Sequence, residues 1–234
     1  MEGVAHRAPR IKFCGITRLD DAHAAADAGA WALGLILWPG SKRACDPAEG
    51  ARIAAQLRRR TEIAGVFVNQ PLDDIAALAD TIGLSLVQLH GDEGPSFCAE
   101  VARRTGAKVI KAAAVRGRAD ITAIQAFRTD FHLLDTHREG LRGGTGETFD
   151  WSLLSSRYSK VPLILSGGLD PANVTEAIET VRPWAVDVAS GVESAPGVKD
   201  HDALLAFAAA VKATDEQPPV RAVPPRPDAR GVAR

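Results

Sequence analysis

The chain has 234 residues, with 28 lysines and arginines against 29 aspartates and glutamates, a formal charge of -1, and a composition 46% hydrophobic but 5% aromatic. That much apolar material builds a sizeable core and excludes a disordered or fibrous chain. The near-neutral balance excludes a basic nucleic-acid footprint and a polybasic membrane face, so neither partner is expected. Three cysteines, at 14, 45 and 98, form no CxxC pair, which argues against a disulfide framework or structural zinc and for a reducing cytoplasm. Met1–Arg10 carries no apolar signal segment, and no stretch reaches the ~18 apolar residues of a membrane span.

Eight short β-like apolar runs follow one another: Arg10–Cys14, Ala32–Leu37, Glu62–Val68, Ser85–Leu89, Lys108–Ala112, Phe131–Asp135, Val161–Ser166 and Ala185–Ala189. Their starts lie 22 to 30 residues apart, each run being followed by an Ala- or Leu-rich stretch of helical spacing. That spacing suits a strand-loop-helix-loop unit and is too long for hairpins. Alternating βα units imply a parallel sheet with right-handed crossovers, and eight of them imply closure into a single-domain (β/α)8 TIM barrel over residues 10–213. An open doubly wound sheet is the alternative.

Helix-start chemistry supports this phase. Thr17 with Asp20 reads as a capping box, and Asp46-Pro47 and Asp170-Pro171 place a capping carboxylate before a proline at the first helical position. Gln70-Pro71 repeats the pattern with a weaker cap. The fifth unit offers only Ile121, Ile124 and Phe127 as a short helical face. Residues 1–9 read as an extension and 214–234 as a tail. Within the latter, Gln217 to Arg234 holds five prolines and four arginines with only Val and Ala as apolar residues, a composition expected to stay disordered.

In such a barrel the chemistry sits at the C-terminal ends of the strands. Gly167-Gly168 after strand seven and Ser190-Gly191 after strand eight are placed to let backbone N–H groups approach a phosphate, the alternative being glycines that serve tight βα turns alone. On strand one, period-2 parity puts Ile11 and Phe13 under the helices and turns Lys12 and Cys14 into the barrel. A lysine there is costly unless it meets a carboxylate or the polar mouth. Cys14 is either a functional thiol or a small buried hydrophobe. Asp135 is placed for general acid or base work, or serves as a cap or a partner of Lys12 or Lys111. Asp187 makes a structural hydrogen bond or contacts a sugar hydroxyl. Arg43 could hold a carboxylate bidentately or stay solvated, and His90 could donate to substrate or cap a helix. Gly143 to Thr148 lacks the GK[ST] and GxGxxG patterns of nucleotide sites, and no acid and histidine cluster suggests a metal.

Taken together, several stretches resemble the phosphoribosylanthranilate isomerase family. They are Lys12-Phe13-Cys14-Gly15-Ile16-Thr17, Gly65 to Asn69, Val87 to Gly91, Leu133-Leu134-Asp135, and Gly143-Gly144-Thr145-Gly146 with Phe149-Asp150-Trp151. Leu165 to Leu169, Val186 to Glu193 and Pro196 to Asp200 complete the set, over about residues 10 to 213. The resemblance implies a cofactor-free Amadori rearrangement of a phosphosugar-anthranilate substrate. It implies Asp135 as the general acid at the ribose ring oxygen, Cys14 as the general base at C2′, Arg43 on the anthranilate carboxylate, and the two glycine loops on the phosphate. Lys12, His90 and Asp187 join the substrate-binding set, Lys12 being positioned to favour ionisation of Cys14.

The sequence departs from the family pattern in small ways. Ser41-Lys42-Arg43 lacks the more usual proline before the arginine. Ser166 and Ala189 stand where alanine and serine are expected, and neither is expected to touch the chemistry. A pentose-phosphate epimerase or indole-glycerol-phosphate synthase would need paired acids with metal-binding histidines, or a different lysine and glutamate set. A bifunctional isomerase with aspartates ending strands one and five is disfavoured because strand one ends in Cys14. A non-catalytic phosphosugar-binding barrel would bind without turnover. A monomer is expected, with a homodimer as the alternative.

Overall fold

The computed structural model describes residues 8–135, 151, 154 and 157–215. Eight parallel strands close into a barrel: β1 (Arg10–Cys14), β2 (Ala32–Ile36), β3 (Glu62–Phe67), β4 (Leu86–Leu89), β5 (Lys108–Ala114), β6 (Phe131–Asp135), β7 (Leu163–Ser166) and β8 (Ala185–Val188). The ring closes through β1 and β8, with Lys12 in register with Asp187. Every strand expected from the apolar runs is present, with ends shifted by two residues or fewer. Because parallel strands are covered on both faces, each run is nearly continuously apolar, which is what made them legible.

The helices are α1 (Leu19–Asp27), α2 (Pro47–Leu57), α3 (Leu72–Ile82), α4 (Pro95–Thr105), α5 (Arg118–Ala123), α6 (Val174–Val181) and α7 (His201–Ala213). The short fifth unit is as expected: α5 gives way to a single 3-10 turn at Ile124–Ala126. A small antiparallel hairpin, β9 (Glu193–Ala195) with β10 (Val198–Lys199), lies between β8 and α7. Thr214 follows α7 and is buried, and the Asp215 carboxylate accepts the Ala8 N–H at 2.9 Å. The expected tail from Gln217 and the Gly143–Gly146 loop lie outside the described residues.

Two apolar layers result from strand parity. Phe13, Leu33, Leu35, Ile63, Phe67 and their equivalents pack outward under the helices, with Phe13 edge-on to Phe207 of α7 at 6.0 Å. Fully burying a side chain like Phe13 contributes roughly 2 to 3 kcal/mol. Ala32, Ala64, Leu86, Ile110, Leu133 and Ile164 fill the barrel itself. Trp31, Phe131 and Trp184 meet in edge-on and tilted contacts across its lower end, with the Arg10 guanidinium 4.4 Å from the Trp184 ring centre. That plug leaves the opposite end for polar side chains.

Three helix starts differ from expectation. Asp46 does cap α2, accepting from the Ala48 and Glu49 N–H groups with Pro47 at the first position. The Thr17-Asp20 capping box does not form, because the Thr17 hydroxyl donates to the Gly197 carbonyl instead and Glu49 of α2 takes the Leu19 N–H. Pro71 is itself the cap of α3, while the Gln70 amide donates to Leu37 O. Asp170 accepts from the Ala172 and Asn173 N–H groups as a cap would, yet regular helix begins only at Val174. Among the described residues no helix is long and apolar enough to cross a membrane.

Candidate active site

At the upper end the inner faces of the strands turn polar. Lys12 and Cys14 point inward as parity required, and Lys12 is fully buried. Its ammonium meets Asp187 Oδ1 at 2.8 Å, and the Ser166 hydroxyl donates to Asp187 Oδ2 at 3.0 Å. Ser166 therefore belongs to the polar network, contrary to expectation, because its place on the inner face of β7 sets it beside β8. Room for this cluster comes from Gly34 on β2. A Cβ there would lie 2.8 Å from Cys14 Sγ and 3.0 Å from Lys12 Nζ.

Electrostatics separate the two groups. Burial alone would lower the Lys12 ammonium, but Asp187 and Cys14 outweigh it and hold the value above the ordinary 10.5. Burial raises the Cys14 thiol above 9.0, and Asp187 adds to this, while Lys12 and Lys199 pull the other way. The sign expected for Lys12 is right, but desolvation wins, so the resting thiol is protonated at neutral pH.

Asp135 ends β6 on the same inner face as Leu133, with its side chain about a quarter exposed. Lys12 is engaged by Asp187, and Lys111 by Glu93 at 2.8 Å, so those two alternative pairings of Asp135 are not the ones made. His90 Nε2 lies 3.9 Å from Asp135 Oδ2, and His90 Nδ1 takes the Gln88 amide at 3.0 Å. His90 does not cap α4, whose start at Gly94 has no side-chain cap. Burial holds the imidazole below its ordinary value despite Asp135, which keeps it neutral at pH 7. A cavity of about 540 Å³ opens beside this corner, lined by Asn69, His90, Lys111, Arg116 and Phe127 among others.

On the opposite rim Arg43 is clamped by Glu193. Nε donates to both carboxylate oxygens, at 3.0 and 2.8 Å, and Nη2 lies 2.8 Å from Oε2. Burial opposes ionisation of Glu193, but Arg43 and Lys199 hold its carboxyl below the usual range. Lys199 donates to Glu193 Oε1 at 2.9 Å and to the carbonyls of Cys14 and Ala189 at 2.6 and 3.1 Å.

The two glycine loops touch each other. Gly167 and Gly168 both have positive φ, at 103° and 64°, a backbone region that side chains disfavour. Gly191 packs so closely on the other loop that a Cβ would run into the Leu169 carbonyl, with Asp170 Cα at 3.0 Å.

The family model for N-(5'-phosphoribosyl)anthranilate isomerase matches residues 11–210. The chain belongs to this family. Its relative from Geobacter sp. strain M21, an N-(5'-phosphoribosyl)anthranilate isomerase, is 43% identical, over 87% of this chain and 98% of the relative. Among solved structures, monomers generated from the dimeric phosphoribosylanthranilate isomerase of Thermotoga maritima match with a TM-score of 0.77 at 41% identity, covering 88% of this chain and 99% of that one. A phosphoribosylanthranilate isomerase bound to reduced 1-(o-carboxyphenylamino)-1-deoxyribulose 5-phosphate matches with a TM-score of 0.76 at 40% identity and the same coverage.

Within this family barrel, the upper end brings Lys12, Cys14 and Asp187 into one cluster and His90 with Asp135 into another. Arg43 and the Gly167–Gly168 and Ser190–Gly191 loops lie at the strand ends around them. Gly34, Glu193 and Lys199 were given no role on sequence. Gly34 offered one signal, a glycine inside a strand, which marks a close approach. Glu193 and Lys199 sit on strands of three and two residues, too short to show periodicity.

Proposed function

We propose that Cys14 and Asp135 divide the proton transfers of the isomerisation of N-(5'-phosphoribosyl)anthranilate, the step of tryptophan biosynthesis that the family carries out. The observation that carries this reading is their placement: a thiol and a carboxyl end β1 and β6 on the inner face of one barrel mouth. Asp135 protonates the ribose ring oxygen as the C1′–O bond breaks, and the nitrogen lone pair closes a protonated imine. Cys14, once its thiol has given its proton to solvent to leave the thiolate that Lys12 and Lys199 favour, removes the C2′ proton, and that electron pair moves toward the imine nitrogen to give an enolamine. Tautomerisation delivers the aminoketose, 1-(2-carboxyphenylamino)-1-deoxyribulose 5-phosphate. The protonated imine is the electron sink, so an acid and a base suffice and no cofactor is called for.

Arg43 holds the anthranilate carboxylate and the Gly167–Gly168 and Ser190–Gly191 loops hold the phosphate. Positive φ at Gly167 and Gly168 and the tight contact at Gly191 support the latter, because a backbone without Cβ atoms can approach an anion closely. Asp187 keeps Lys12 charged beneath the sugar, and His90 flanks Asp135. The three free thiols fit a reducing cytoplasm. A monomer is the working state; large exposed apolar side chains among the described residues are few and scattered, at Trp38, Tyr158 and Leu205.

The test is turnover, followed by the fluorescence of the anthranilate group, in Cys14→Ala and Asp135→Asn, with affinity for the reduced product analogue measured alongside. Both variants should lose nearly all turnover and keep the analogue. Retained turnover in Cys14→Ala would remove the thiol from its role.

A further inference from the structure

The hairpin β9–β10 contributes a buried charge cluster that the proton-transfer scheme does not use. Glu193 is 4% exposed at its side chain and Lys199 is fully buried, and between them they tie four segments together. Glu193 grips Arg43 from the loop after β2. Lys199 grips Glu193 and the carbonyls of Cys14 at the end of β1 and Ala189 after β8. The hairpin is itself fixed: Asp21 of α1 accepts the Lys199 N–H at 3.1 Å, and Thr17 donates to Gly197 O. Gly15 leaves the path open for the arginine, since a Cβ there would stand 2.9 Å from Arg43 Cδ.

The stereochemistry of the clamp is specific. A guanidinium has five N–H donors on two carboxylate-sized edges, one spanning Nε and Nη2 and the other Nη1 and Nη2. Glu193 occupies the Nε–Nη2 edge with both oxygens. One edge remains for a second planar carboxylate, and its direction is set by Glu193 rather than by the flexible arginine stem.

We propose that Glu193 and Lys199 are positioning residues: Glu193 holds Arg43 so that its Nη1–Nη2 edge faces the carboxylate of the substrate, and Lys199 fixes Glu193 to the strand end that carries Cys14. This rests on Arg43 being the carboxylate anchor. The pair thereby sets the distance between the anchored aromatic acid and the base. Without Glu193 the arginine samples many rotamers, and only a fraction of them engages the ligand bidentately.

The experiment compares binding of the reduced product analogue with its counterpart lacking the ring carboxylate, in wild type, Arg43→Ala, Glu193→Gln and Glu193→Asp. The ratio of the two affinities reads the carboxylate contact alone. Arg43→Ala should collapse the ratio toward one. Glu193→Gln and Glu193→Asp should each lower it about tenfold or more, a loss on the scale of a misaligned charge-assisted pair, while the carboxylate-free analogue binds within about threefold of wild type. Glu193→Asp keeps every charge in the cluster, so it reports on aim even where Glu193→Gln does not fold. In turnover the loss should fall mainly on KM. An unchanged ratio in both Glu193 variants, with Arg43→Ala collapsing it, overturns the positioning role and leaves the anchor intact. An unchanged ratio in Arg43→Ala overturns the anchor and the positioning role together. Equal weakening of both analogues in the Glu193 variants also overturns it, since that marks general damage.

Discussion

Lys12 Nζ and Asp187 Oδ1 lie 2.8 Å apart at matching register on β1 and β8, the strands whose pairing closes the barrel. The contact is thus both an electrostatic feature of the site and a fastening of the seam. Removing one partner of such a buried pair strands the other charge, at a cost of about 3 to 5 kcal/mol. Lys12→Met should destabilise the fold by that amount in chemical denaturation, and Lys12→Met with Asp187→Asn should recover most of it. The pH dependence follows from the raised ammonium value. The stabilisation is fully present below the ordinary 10.5 and is lost only as pH rises through the higher folded value. A loss beginning near pH 8 would contradict the assignment of charge to Lys12.

Burial pushes Cys14 above the ordinary 9.0, so the folded thiol should be slow to react at neutral pH. Cys45, pushed up to about 12 by burial with Glu49 and Asp46 adding, and Cys98, also raised by burial, should be no faster. Iodoacetamide labelling followed by mass spectrometry should show Cys14 in the folded chain labelled about tenfold or more slowly at pH 8 than in urea. Its rate should keep climbing above pH 9, in step with formation of the thiolate. A labelling midpoint below 9.0 would mean that Lys12 and Lys199 dominate over desolvation.

Much of this architecture was legible because its signals are local. The eight runs are apolar on both faces, and the two-residue alternation along β1 was enough to turn Lys12 and Cys14 inward. Asp46 ahead of Pro47 capped α2 as its own neighbours dictated. What failed was what distant segments decide. Thr17 had the spacing of a capping box, but Gly197, 180 residues away in sequence, takes its hydroxyl. Ser166 looked like an incidental replacement until β8 set Asp187 beside it. Arg43 could be proposed as a carboxylate ligand from its loop, yet nothing near it in sequence shows that Glu193 directs it.

Gly34 is where the inner surface of β2 yields to the thiol and the ammonium. An alanine there would place its methyl 2.8 Å from Cys14 Sγ, 3.0 Å from Lys12 Nζ and 3.1 Å from Cys14 Cα. The last contact is backbone, so side-chain rotation alone cannot relieve it. Gly34→Ala should destabilise by about 1 to 3 kcal/mol through overpacking. It should also lower kcat by more than about tenfold, since displacement of a reacting group by about 1 Å can cost two orders of magnitude. Inorganic phosphate should bind as in wild type. A variant with normal kcat would show that the position of the thiol is not critical.

The two glycine loops allow a matched comparison. At Gly168 a Cβ would meet nothing within 4 Å, but φ of +64° makes the backbone unfavourable for any other residue. At Gly191 the backbone angle is not the difficulty; a Cβ would collide with the Leu169 carbonyl and push the loop after β8 away from the loop after β7. Gly168→Ala should therefore cost about 1 kcal/mol of stability and leave phosphate binding within about threefold. Because the proposed phosphate site draws on both loops, Gly191→Ala should raise the inhibition constant for inorganic phosphate, and KM with it, by about tenfold or more as the two loops are pushed apart. Phosphate inhibition measured at fixed ionic strength separates the two variants. Equal inhibition constants in both would mean that the contact at Gly191 braces the barrel without shaping the anion site.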